Sequence, residues 1–96
     1  MVPVRRVVID VLKPHEPPLV TFTERIGAID TVESVTSSLI ELDREVQNVK
    51  VTAEGDDVDV DALEAGVEEL GATVRSVDQV ACGEWVAEDR PTLQDG

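Results

Sequence analysis

Six side chains in this sequence have the chemistry to hold a metal ion: Asp10, His15, Glu16, Glu41, Asp43 and Glu54. Carboxylate oxygens are what hard cations such as calcium and magnesium take, and His15, the only histidine, could add one imidazole nitrogen beside an oxygen from Glu16. One histidine with one glutamate falls far short of a first shell unless a neighbouring subunit supplies the rest. Glu16, next to Pro17, reads equally well as an anion near a helix start. Asp10 is the most informative of the six. It interrupts the apolar run Val7-Val8-Ile9-Asp10-Val11-Leu12, and an acid inside such a run must be paired, solvated or metal-bound. The competing account of the carboxylates is cross-strand ion pairing, of Asp43 with Lys50 and of Asp10 with Arg75 or Arg6.

Other motifs are weaker. The run Asp56-Asp57-Val58-Asp59-Val60-Asp61 superficially suggests a calcium loop, but it lacks the central glycine and the closing glutamate of an EF-hand. It reads as a capped, solvated helix start. Cys82 is the only cysteine and has no CxxC partner, so it reads as a buried or edge thiol, not a nucleophile. Thr36, Ser37 and Ser38 sit in no GxSxG elbow, and no glycine-rich phosphate loop is present. Nothing assembles a nucleophile with its base, so catalysis is not expected.

Charge narrows the partners. Asp and Glu number 21 against 8 Lys and Arg, a formal net charge of −13, and the only lysines are Lys13 and Lys50. Such a surface should repel nucleic-acid phosphates and anionic lipid heads. Its self-repulsion shrinks as the Debye length falls to ~3 Å near 1 M salt, which points to a high-salt cytoplasm. No apolar run approaches the ~20 residues of a membrane span, and the N-terminus lacks the regions of a signal peptide.

The elements that must position these residues follow a βαββαβ order. Eighteen valines and only two aromatic residues, Phe22 and Trp85, demand an aliphatic, strand-rich core. Val4 to Leu12 alternates, with Arg5, Val7, Ile9 and Val11 on one face and Arg6, Val8, Asp10 and Leu12 on the other. Prolines 14, 17 and 18 end that strand and open a helix with Leu19, Phe22, Ile26 and Ile29 on one stripe and Gly27 near its end. A second strand is expected from about Val32 to Arg44 and a third from about Val49 to Glu54, joined by Glu45-Val46-Gln47-Asn48. A second helix carries Val60, Leu63, Val67 and Leu70 on its apolar stripe and stops at Gly71. A fourth strand runs from about Thr73 past Val80 toward Val86, with Gly83 a bulge or kink. These halves predict an α+β, ferredoxin-like sandwich. Its antiparallel four-stranded sheet has the order 4-1-3-2, with both helices on one face. Residues 1–86 would form the single domain and 87–96 a flexible acidic tail.

A hairpin turn centred between Val46 and Gln47 would set Asp43 opposite Lys50, Glu41 opposite Thr52 and Leu39 opposite Glu54. Leu42 against Val51 and Ile40 against Ala53 would then face the helices. With strand one parallel to strand three, Asp10 would fall near Thr52 and Glu54, and Arg75 would approach from strand four. The helix-free face would carry Val8, Leu12 and Leu39 among charges, a candidate for subunit packing. Trp85 would either cap the end of the core or anchor in a neighbouring subunit.

Several stretches carry a resemblance. Arg5-Arg6-Val7-Val8-Ile9-Asp10-Val11-Leu12-Lys13-Pro14-His15-Glu16-Pro17 resembles the opening of a small, mainly archaeal family, domain of unknown function 211. Its Leu-Lys-Pro-His-Glu-Pro stretch is the most specific part. Val46 to Gly55 looks like that family's hairpin and third strand, and Ser76 to Gly83 like its last strand. The resemblance spans about Val4 to Val86. It implies a ferredoxin-like fold and ring-like homo-oligomers, and no established activity. The acidic surface and the segment after Val86 depart from it in the manner of a haloarchaeal member. The expectation is a non-catalytic, cytoplasmic homo-oligomer that binds a divalent cation or small ligand. The rival reading is a small-molecule-sensing regulatory subunit that docks on another protein.

Overall fold

The computed structural model describes residues 2–84; Trp85 and the expected tail lie outside the described residues. The elements are β1 (Val4–Pro14), α1 (Leu19–Gly27), β2 (Ser34–Leu42), β3 (Val46–Glu54), α2 (Val60–Glu69) and β4 (Thr73–Cys82). The four strands form one sheet in the order β2-β3-β1-β4, every neighbouring pair antiparallel, in the ferredoxin-like topology with both helices on one face.

Alternation in β1 decides which side is buried. Val7, Ile9 and Val11 are fully buried beneath the helices, against Val49, Val51 and Ala53 of β3. Phe22 and Ile26 of α1 and Leu63 and Val67 of α2 close the core from above. Asp59 caps α2 by accepting a hydrogen bond from the Ala62 amide at 3.1 Å, so the acidic run is a helix start, as its sequence suggests. Gly71 stops α2 at φ +86°, a left-handed conformation that favours glycine.

Two expectations about the sheet fail. β3 runs antiparallel to β1, not parallel. The reason lies in the split βαβ unit: α1 returns the chain so that β2 runs along β1, and the tight hairpin then sends β3 back between them. The hairpin also turns earlier than expected, at residues 43–45, so that Val46 to Asn48 belong to β3. Leu39 therefore pairs with Val49, Ser38 with Lys50 and Thr36 with Thr52. Ile40 is the extra residue of a bulge between Leu39 and Glu41 and is 59% exposed, and Leu42, though its rung partner Gln47 lies on the helix-covered side, is 62% exposed and outside the core. Leu39, sharing a rung with buried Val49, belongs to the helix-covered side and not to the open face.

The connections at the Val4 end of β1 are bound to each other. The Glu33 amide donates to Glu54 O at 2.8 Å, and the Asp59 amide donates to Thr31 Oγ1 at 2.9 Å. The Gly55 and Val58 amides donate to Arg5 O and Val4 O. Gly55 has no room for a side chain, because a Cβ there would stand 2.3 Å from Thr31 O.

Candidate functional site

The open face of the sheet is built from the even-numbered residues of β1 and their partners. Arg6 pairs with Glu54, Val8 with Thr52, Asp10 with Lys50 and Leu12 with Asn48. Asp10 is half-buried and held from two sides. Asn48 Nδ2 donates to one carboxylate oxygen, and Arg75 Nε stands 3.9 Å from the other. Lys50, its direct cross-strand neighbour, makes no ion pair or side-chain hydrogen bond among the described residues. Arg6 Nε donates to Glu54 Oε2 at 2.8 Å.

At the Leu12 end of this face, a notch of about 170 Å³ is lined by Leu12, Glu41, Asp43, Val46, Asn48 and Arg75. His15 reaches the same hairpin: its Nε2 lies 3.1 Å from Asp43 O, and because a carbonyl only accepts, that nitrogen carries the proton. The six sequence-derived residues thus divide. Asp10, Glu41, Asp43 and His15 gather around the β2–β3 turn and the adjoining rungs. Glu54 sits at the far end of the sheet with Arg6, and Glu16 lies in the loop between β1 and α1. Among the described residues, no group of three or more His, Cys, Asp or Glu side chains converges to hold a metal ion within one chain. The register explains the split: with the turn at residues 43–45, Asp43 is a turn residue that cannot face Lys50, and Asn48 occupies the rung beside Glu41.

Lys13 is the residue that sequence reasoning missed. It is fully buried on the helix-covered side, one alternation beyond Val11, and continuing the β1 pattern by two residues would have found it. Its Nζ donates to Pro14 O at 2.9 Å and to Gln47 Oε1 at 3.0 Å, and lies 5.8 Å from the centre of the Phe22 ring. Burial pushes its pKa below the ordinary lysine value, partly countered by the negative charge of Glu16. The ammonium therefore folds the Pro14-His15 segment back over the end of the core, which aims His15 at the hairpin.

Cys82 is exposed on the edge strand β4. A second, mostly apolar groove of about 390 Å³ runs between α1 and β2, lined by Leu19, Val20, Thr23, Gly27, Val35 and Ser37 among others. No helix among the described residues is long and apolar enough to cross a membrane.

The family model of DUF211, an uncharacterised ArCR family, matches residues 5–96. The chain is also 38% identical over 92 residues to an uncharacterised protein of Methanocaldococcus jannaschii, MJ0319, covering 96% of this chain and 95% of that protein.

Proposed function

This chain belongs to the archaeal DUF211 family, and we propose that it works as a non-catalytic module that assembles head to tail with copies of itself and takes a divalent cation, calcium or magnesium, at the assembly. One observation carries the reading: where the exposed large apolar side chains lie. Apart from Val2, those among the described residues belong to the two sheet edges or to the helix beside one of them: Leu39, Ile40 and Leu42 on β2, Val20 on α1, Val77 and Val80 on β4. Natural sheets guard free edges with lysine, proline or short strands. Neither β2 nor β4 contains lysine or proline, and they span 9 and 10 residues; bulges at Ile40 in β2 and opposite Val8–Ile9 and Asp10–Val11 in β4 interrupt them.

The two edges also match. Val77 and Val80 share rungs with buried Ile9 and Val7, so they lie on the helix-covered side of the sheet. Val35 and Leu39 lie on that same side at the other edge. Because β2 and β4 run in opposite directions, a copy rotated about an axis along the strands presents its β2 antiparallel to β4, continuing the alternation of the sheet. The valines of one copy then meet the groove beside α1 of the next. A head-to-tail contact of this kind closes into a ring or runs on as a filament.

A copy pairing along β2 presents its β4, whose one carboxylate is Asp78, and the cation is placed where that carboxylate would join Glu41 and Asp43 of the notch. The net charge of −13 and scarcity of lysine support a high-salt cytoplasm as the setting for this assembly. The test is the solution mass by light scattering in multimolar KCl, with and without chelator. A defined oligomer, reduced by Val80→Lys and dissociated by chelation, is the expected result. A monomer would sink the assembly reading. An oligomer indifferent to chelator and to Asp10→Ala and Glu41→Ala would remove the cation from it.

A further inference from the structure

We propose that the Arg6 end of the open face is a binding site for a small anion carrying phosphate or carboxylate oxygens. The observation is independent of the edges and of the notch. A concavity of about 360 Å³ lies there, lined by Arg6, Val8, Thr36, Lys50, Thr52, Glu54 and Gln79. That volume is at the small end of metabolite pockets.

Its lining is unusual for this chain. Only 8 basic residues oppose 21 acidic ones overall, yet this one concavity gathers two cations against a single carboxylate. Glu54 takes the Nε of Arg6 and no other donor among the described residues, which leaves the outer nitrogens of the guanidinium free for a second oxyanion. Lys50 is free because Asp10, the acid across from it, is held by Asn48 and Arg75 instead. Thr36 and Thr52 share one rung of the sheet, so their side chains stand side by side on the open face, and Gln79 adds an amide from β4. Guanidinium, ammonium, hydroxyl and amide together form a donor set for oxyanions, and the only anionic oxygens among them are those of Glu54. Long-range attraction cannot draw an anion to a chain with a net charge of −13, so any affinity must come from these contacts at short range.

The experiment titrates the full chain with inorganic phosphate, and separately with citrate, at fixed ionic strength, following backbone amide shifts by NMR. The expected result is saturable binding with shifts centred on Thr36, Thr52 and Gln79. Lys50→Gln should weaken it at least tenfold, and Arg44→Gln, on the exposed hairpin turn, should leave it unchanged. Lys50 is exposed and makes no side-chain contact that folding needs, so that variant folds. Phosphate binding alone identifies a phosphorylated ligand, and citrate binding alone an organic acid. Shifts that never saturate with either probe overturn the proposal. So does equal weakening by Lys50→Gln and Arg44→Gln, which would reduce the effect to overall charge.

Discussion

Replacing Lys13 by methionine tests the account of the β1–α1 loop most directly. Methionine keeps most of the buried stem and removes the ammonium together with its contact to the Phe22 ring. Two acceptors then lose their donor, Pro14 O at 2.9 Å and Gln47 Oε1 at 3.0 Å. A fully buried acceptor left unsatisfied costs ~1–3 kcal/mol, and these two, only partly buried, cost less each. Against this stands relief from burying a charge, the same desolvation that lowers the lysine pKa. The net expectation is a loss of about 1–3 kcal/mol, at roughly 4–8 °C in Tm per kcal/mol for a domain of this size. The pH dependence gives a second reading. Because the folded pKa lies below the ordinary value of 10.5, the unfolded chain holds more protons between the two values. Stability of the native sequence should therefore rise with pH through that window and be lowest, from this source, below the folded pKa. Lys13→Met should lack that rise. Urea unfolding from pH 7 to 10.5 at fixed protein concentration measures both quantities. A variant as stable as the native chain, or a native stability that falls through the window relative to the variant, would refute the reasoning.

Gly55→Ala should destabilise by about 1–3 kcal/mol, because its Cβ would press on the Thr31 carbonyl and the backbone must move. Gly66→Ala is the contrast: its Cβ meets only the flexible end of Ile29, and the helix gains up to ~1 kcal/mol in propensity, so thermal melts of the pair should separate clearly. Asp59→Ala should cost about 1 kcal/mol through the lost cap of α2, read as a lower urea midpoint with unchanged slope. Phe22→Ala should cost about 3–5 kcal/mol, since the ring is fully buried, and a smaller effect would mean that the core collapses around the loss.

The elements and their order were legible because each carried its own period. β1 alternates, both helices repeat an apolar stripe, and prolines and Gly71 mark the breaks. The register of the hairpin was not legible. Its turn, Asp43-Arg44-Glu45, contains no glycine or asparagine, while Glu45 to Asn48 look equally polar from the sequence alone. The bulge at Ile40 then shifts the β2 pattern by one, so Leu39 and Leu42 share a side although they are three residues apart. A single mistaken turn moved Asp43 from a strand to a loop and separated Glu41 from Thr52. The pairing of Asp10 with Arg75 was read from the sequence, because the order of the strands alone sets β4 beside β1. The burial of Lys13 was hidden by its charge, although its place in the alternation was plain.

The two connections tied together at the Val4 end of β1 bear on how the molecule opens. The segments 28–33 and 55–59 hold each other through Asp59 to Thr31 and the close approach of Gly55 to Thr31, and Glu33 is bound to Glu54 at the end of β3 beside them. Neither can swing out alone without breaking bonds of the other, although more than twenty residues separate them along the chain. They should open as one unit, and their amides should then show a common opening free energy in deuterium exchange once each intrinsic rate is divided out. The other end of β1 is gripped by the Lys13 ammonium through bonds of its own. The two ends of the domain can thus loosen separately, and a ligand at one need not protect the other.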